Sequence, residues 1–164
     1  MHSLGPGLRK APDLGNSWTP IASRTYDYRM IHSKTFEVTT RGRDDFLDIT
    51  SRLQQVVAES KVSRGLLSVY VPHTTAGVTI NENADPDVVH DILASLDKAV
   101  PWRQAFYQHG EGNSAAHVKS SMMGCQTVIP IAAGQLALGT WQSVYFTEFD
   151  GPRTRRVVVT VMGD

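Results

Sequence analysis

Cysteine is nearly missing from this chain: Cys125 is the single one in 164 residues. No disulfide can form within the chain, and no cysteine-built zinc ribbon is available. A reduced, cytoplasmic setting is the simplest expectation, with Cys125 an inert packing thiol at the start of a strand. Long apolar runs are missing too. None approaches the roughly 20 residues of a membrane span, and the first residues hold no continuous apolar segment of secretory type. No membrane partner is expected. Neither sign of charge is in excess: Lys and Arg number 16, Asp and Glu 16. Residues 1–82 carry 10 basic and 8 acidic side chains and residues 83–164 carry 6 and 8, so neither half is polarised. That argues against a dedicated nucleic-acid binder, which shows a basic face. Zero net charge also removes the self-repulsion that keeps many proteins apart, and so favours an oligomer. No Gly-Lys-Ser/Thr phosphate loop and no His-x-x-x-His pair occurs.

What is present suits one domain and a tail. Residues 1–25 hold six Gly or Pro, and Leu4, Leu8, Leu14 and Trp18 fall without period. Such a segment cannot bury enough surface to offset its ordering entropy. It is expected to be a disordered extension, with a strap anchored by Trp18 as the alternative. The domain is expected over 26–164. A strand is predicted at 28–39, then a helix capped by Asp44 or Asp45 and running through Phe46, Ile49, Leu53, Val56 and Val57 to Ser60. The run 66–71 reads as a buried strand, with 77–81 as its partner. Asp85, Pro86 and Asp87 open the clearest helix, 85–99. A loop follows over 101–114, then a short helix at 115–123 and strands at 127–131, 135–140, 142–149 and 156–161. Short turns join the late strands, which implies antiparallel pairing. The class is α+β: a mainly antiparallel sheet with two to three helices.

Chemistry concentrates where apolar elements meet polar loops. His73 opens His-Thr-Thr-Ala-Gly, His109 opens His-Gly-Glu-Gly-Asn, and His117 follows eight residues later. Three histidines on separate loops can converge on one divalent metal and leave an open position, although ordinary hydrogen-bonded histidines fit the same spacing. His32 and His90, inside a strand and a helix, read as structural. Thr74, Thr75 and Lys119 offer donors to a phosphate, and the amides of 110–114 could do the same. The terminus at Pro86 could hold an anion, but Asp85 and Asp87 favour capping there. Trp141 reads as core. Glu148, Asp150 and Arg153 read either as a turn with an internal ion pair or as support for a histidine or metal.

Four ordered blocks carry a family resemblance. They are His73-Thr-Thr-Ala-Gly-Val-Thr-Ile-Asn-Glu-Asn-Ala-Asp-Pro-Asp87, Glu111-Gly-Asn-Ser-Ala-Ala-His117-Val-Lys-Ser-Ser121, Leu136-Ala-Leu-Gly-Thr-Trp-Gln142 and Glu148-Phe-Asp-Gly-Pro-Arg153. Together they resemble the YjbQ family, also called the secondary thiamine-phosphate synthase family, over residues 28–162. The resemblance implies a compact α+β subunit in a homotrimer, a metal-binding pocket built from the histidine motifs, and weak thiamine-phosphate synthesis. In that reaction a hydroxymethylpyrimidine pyrophosphate joins a thiazole phosphate and pyrophosphate is released. The expected metal ligands are His73, His109 and His117, which with Glu148 form the expected catalytic set. Thr74, Thr75, Asn81, Asn113, Lys119, Gln142, Asp150 and Arg153 are the expected substrate contacts. Three histidines suit zinc, whereas Mg²⁺ prefers carboxylates plus substrate phosphates. The alternatives are a metal-dependent hydrolase of a small phosphorylated metabolite and a non-catalytic metal- or ligand-binding trimer.

Overall fold

The computed structural model describes residues 30–164. The expected extension 1–25, Trp18 and the first residues of the strand expected from 28 lie outside the described residues. Strands β1 (Met30–Thr39), β8 (Thr154–Gly163), β3 (Arg64–Tyr70), β5 (Gln126–Ala132) and β6 (Gln135–Leu136) form one antiparallel sheet in that order. Strands β2 (Asp45–Asp48), β7 (Gln142–Glu148) and β4 (Ala76–Glu82) form a second, also antiparallel. Helices α1 (Thr50–Ser60), α2 (Pro86–Ala99) and α3 (Ser114–Met123) complete an α+β fold. Among the described residues no helix is long and apolar enough to cross a membrane.

Period-two patterning builds the core. In β8 Val157, Val159 and Val161 point inward and are buried, while Arg156, Val158, Thr160 and Met162 alternate outward. Phe36 and Val38 do the same in β1. These pack with Leu67 and Val69 of β3, Val78 of β4, Val144 and Phe146 of β7, and the α1 face Leu53, Val56 and Val57. One core therefore lies between the two sheets and under α1. The second face of β7 is buried as well: Tyr145 meets Phe46 at 5.9 Å between ring centroids, and Phe149 packs with Leu96 of α2 and Ala116 of α3. The strand is buried nearly throughout because both of its faces are covered, and its buried polar residues include Ser143, Thr147 and Glu148.

Three expectations change. The helix expected from Asp44 or Asp45 begins at Thr50. Residues 45–48 instead form the edge strand β2, and the Asp48 carboxylate accepts from the Thr50 amide at 2.8 Å. The hydrophobic pattern runs through both elements because each packs on β7 or the core. The segments expected as partners are also separated: β3 pairs with β8 and β5, and β4 pairs with β7 in the other sheet. The strand expected over 135–140 shrinks to β6, because the Gln142 side chain accepts from the Gly139 amide and turns the chain there. Helix α2 starts as expected, with the Asp85 carboxylate accepting from the Asp87 amide at 2.9 Å.

Candidate functional site

Helix α3 is fixed to β4 at its C-terminal end. The Val78 amide donates to the Gly124 carbonyl at 3.0 Å, and a Cβ on Gly77 would lie 2.6 Å from that same oxygen. Only glycine permits this approach. One turn earlier, Ser120 Oγ lies 2.6 Å from the Thr74 carbonyl. These contacts hold the C-terminal half of α3 against β4 and the 72–75 loop, which is how two distant motifs meet.

A buried ion pair joins the two sheets at the same end. Glu148 continues the inward phase of Val144 and Phe146 in β7, and Arg155 continues that of Val157 and Val159 in β8. Arg155 donates through Nε to Glu148 Oε2 at 2.6 Å and through a terminal nitrogen to Oε1 at 2.7 Å. Glu148 also accepts from the amides of Phe149 and Asp150. The same terminal nitrogen of Arg155 lies 2.8 Å from Thr75 Oγ1. An oxygen that accepts there still has its own O–H to donate, and Thr75 lines a cavity.

That cavity, about 320 Å³, is lined by Thr74, Thr75, His109, Glu111, Asn113, His117, Asp150, Arg153 and Arg155. His109 and His117 face each other edge-on, with ring centroids 5.1 Å apart, and Glu111 stands 3.9 Å from His109 Nε2. Asp150 accepts from Arg153 at 2.8 Å and from the Asn113 amide nitrogen at 3.2 Å. Two carboxylates, Asp150 and Glu111, receive that nitrogen, and this fixes which way the Asn113 amide points. Its oxygen is buried with no donor beside it among the described residues, an acceptor left for whatever enters. Helix α3 begins here with no acidic residue in its first turn, so its N-terminal amides and dipole favour negative charge.

Seven of the expected residues therefore line one cavity: Thr74, Thr75, His109, Asn113, His117, Asp150 and Arg153. Five do not. His73 accepts the Arg156 amide proton at Nε2, 2.8 Å away. Partial burial, and then the Arg155 charge, hold its pKa below the ordinary value, which keeps the ring neutral. The three-histidine centre is not assembled: among the described residues no three His, Cys, Asp or Glu are gathered to hold a metal ion. As placed, the donors do not fit that centre. Glu148 is fully buried and orients Arg155, not a histidine. Lys119, 1% exposed, pairs with Asp97 at 2.6 Å and Asp44 at 3.2 Å; it points into the α2–α3 packing because it is on the face of α3 turned from the cavity. Asn81 and Gln142 sit at the far end of the β4–β7 ladder, five residues from Ala76 and six from Glu148 of the Ala76–Glu148 pair, and so roughly 17–20 Å away. Cys125 and Trp141, expected inside, are exposed.

Arg155 and Glu111 are the residues the motifs left out of the expected set. A signal for Arg155 existed: it shares the phase of three valines on a strand buried on that face, where a charge requires a partner.

The family model of YjbQ-like UPF0047 proteins matches residues 34–164. The chain is 48% identical over 130 residues to UPF0047 protein YugU of Bacillus subtilis, covering 79% of this chain and 98% of that one. It is 50% identical over 129 residues to a UPF0047 protein of Methanocaldococcus jannaschii, covering 79% and 93%. Among solved structures, a YjbQ/UPF0047 protein of Clostridium acetobutylicum superposes with TM-score 0.76 at 54% identity, over 78% of this chain and 98% of that one. A YbjQ-like protein of unknown function from Sulfolobus solfataricus gives 0.78 at 28% identity, over 82% and 98%.

Proposed function

Because the chain belongs to the YjbQ-like UPF0047 family, we propose that the cavity holds the phosphorylated end of a small molecule, and that the protein is a thiamine-phosphate synthase-type transferase. The thiazole nitrogen of the acceptor attacks the methylene carbon of the pyrimidine pyrophosphate. The C–N bond forms, the C–O bond breaks, and its electron pair leaves with pyrophosphate. The observation that carries this reading is the donor set of the cavity: Arg153, Arg155, Thr74 and Thr75, the N-terminus of α3 with no acidic residue in its first turn, and two histidines that face each other.

Arg155 is matched by Glu148 and Arg153 by Asp150, so the cavity offers directed donors, not bare excess charge. Donors held rigidly where charge develops stabilise a leaving anion without reorganising. His109 and His117 are the groups placed to give the departing pyrophosphate a proton. We place the protein in a homotrimer, as its family resemblance implies.

The test is to incubate the purified protein with the pyrimidine pyrophosphate and the thiazole phosphate and to measure thiamine phosphate and pyrophosphate by chromatography. Both products are expected in equal amounts, with the rate lowered about a hundredfold in His117→Ala. Release of phosphate from simple phosphomonoesters that depends on an added divalent ion would assign hydrolysis instead. Pyrophosphate binding with neither reaction would make the protein a binding trimer.

A further inference from the structure

Asn81-Glu82-Asn83 and the turn Gly139-Thr140-Trp141-Gln142 take no part in the cavity, yet together they hold one exposed ring. The Gln142 amide donates to the Gly139 carbonyl and the Gly139 amide donates to the Gln142 side chain, so the turn closes on itself. The Trp141 carbonyl accepts from the Asn83 amide at 2.9 Å. Asn83 is gripped at both ends of its side chain: the Tyr145 hydroxyl donates to its oxygen at 2.7 Å, and its nitrogen donates to Asp48 at 2.8 Å. The backbone at Trp141 is therefore fixed, while its indole is 61% exposed. An uncovered aromatic ring on a preorganised backbone has the form of an interface anchor: little ordering entropy opposes binding, and the apolar area is still to be buried.

The same chain offers a place for such a ring. A cavity of about 330 Å³ on α3 is lined by His109, Ser114, His117 and Val118, and so shares both histidines with the first cavity. Val118 and Met122, four residues apart on one face of α3, are both exposed. Trp141 cannot fill this cavity in its own copy, because it stands beside Gln142 at the far end of the β4–β7 ladder. We propose that Trp141 of one copy seats in the α3 cavity of the next, against the partner's Val118 and the partner's Met122, and closes the histidine pair on that side. The occupant is a second copy because knob and hole are both on this chain, at separate places. A contact of that kind is heterologous, and repeated around an axis it closes a ring such as a trimer. Charge agrees with it. Asp48, Glu82, Asp85 and Asp87 lie near the turn, and among the described residues none of them forms an ion pair. On the receiving side Arg103 is exposed and also unpaired among the described residues, beside the exposed Glu111. This inference goes beyond the phosphate reading and stands whatever ligand the first cavity holds: it names the surfaces through which copies meet.

The test joins neighbours of the contact and spares the contact itself. In the full chain carrying Cys125→Ser, Thr140→Cys marks the turn and Ser121→Cys marks α3; both positions are exposed. Within one copy the turn is at the far end of the β4–β7 ladder and the end of α3 is held at the near end, on Gly77 and Val78. A short bis-maleimide can therefore join the two cysteines only between copies. The chain carrying both is expected to run as linked multiples on a denaturing gel, and a chain carrying either alone as single chains. Adding Trp141→Ala should cut the linked fraction about tenfold. Fluorescence supplies a reading that needs no cross-link. The wild-type spectrum minus that of Trp141→Phe is expected to come from a ring shielded from iodide, and the same difference measured with Val118→Glu from an exposed one. Failure of the two cysteines to link would overturn the contact. So would a linked fraction that ignores Trp141→Ala, or a Trp141 open to iodide in the wild type.

Discussion

The imidazole of His73 accepts the Arg156 amide proton and sits partly desolvated beside the Arg155 guanidinium. Both burial and the neighbouring cation favour the neutral ring, so its folded-state pKa lies below the ordinary 6.5. In the unfolded chain the ring takes its proton first as pH falls, so the unfolded state binds more protons below that value. The stabilisation is fully present above about pH 6.5 and is lost as pH falls toward the folded-state pKa. Urea unfolding midpoints should therefore drop between pH 7.5 and pH 5.5 by more in the wild type than in His73→Gln, whose side chain does not titrate. Equal drops would show that His73 is not the group responsible. Lys119 makes a second prediction at this scale. Its ammonium is buried and its partners are Asp44 and Asp97, so Lys119→Met should lower unfolding stability by about 1–3 kcal/mol. Calorimetric pyrophosphate affinity should stay within about twofold. Abolished binding in a folded variant would return Lys119 to the ligand.

At the scale of elements, local signals were readable where a single face is buried or a terminus is capped. Helix α2 announces itself with Asp85, Pro86 and Asp87, and β8 with alternating valines. The signals failed where two elements share one continuous apolar pattern. Phe46 and Ile49 fall at helical spacing, but Phe46 belongs to an edge strand that packs on Tyr145 and Phe149, and the helix waits for Thr50. The pairing of β3 with β8, and of β4 with β7, is a choice between distant partners that periodicity does not encode. The candidate site divides in the same way. His109, His117, Thr74 and Thr75 were legible because histidines and hydroxyls in glycine-bearing loops mark chemistry. Lys119 misled because a helix places residues two positions apart on different faces: His117 lines the cavity while Lys119 turns into the packing. Asn81 and Gln142 misled because a motif can continue along a strand well past the place where its first residues meet the site.

At the scale of the whole molecule, the described residues leave apolar surface exposed. Ile31, Met162, Leu66 and Pro130 are cross-strand neighbours on four successive strands, β1, β8, β3 and β5. All four are exposed on the outer face of the five-stranded sheet, Ile31 to 69% and Leu66 to 44%. The apolar face of α2 is likewise only half-buried at Val88, Val89, Ile92 and Leu93. A contiguous apolar row rimmed by polar residues is characteristic of an interaction surface, and zero net charge imposes no repulsion between copies. The homotrimer proposed from the family resemblance would cover this sheet face. Light scattering on the purified chain should then report about three times the 18.0 kDa subunit mass. Leu66→Glu should reduce that mass toward one subunit while the far-ultraviolet circular dichroism is retained, because Leu66 is directed away from the core that folds the monomer. A wild-type mass of 18.0 kDa at micromolar concentration would exclude the trimer. A Leu66→Glu variant that keeps the assembled mass would move the interface off the sheet, leaving the half-buried face of α2 as the surface to substitute next.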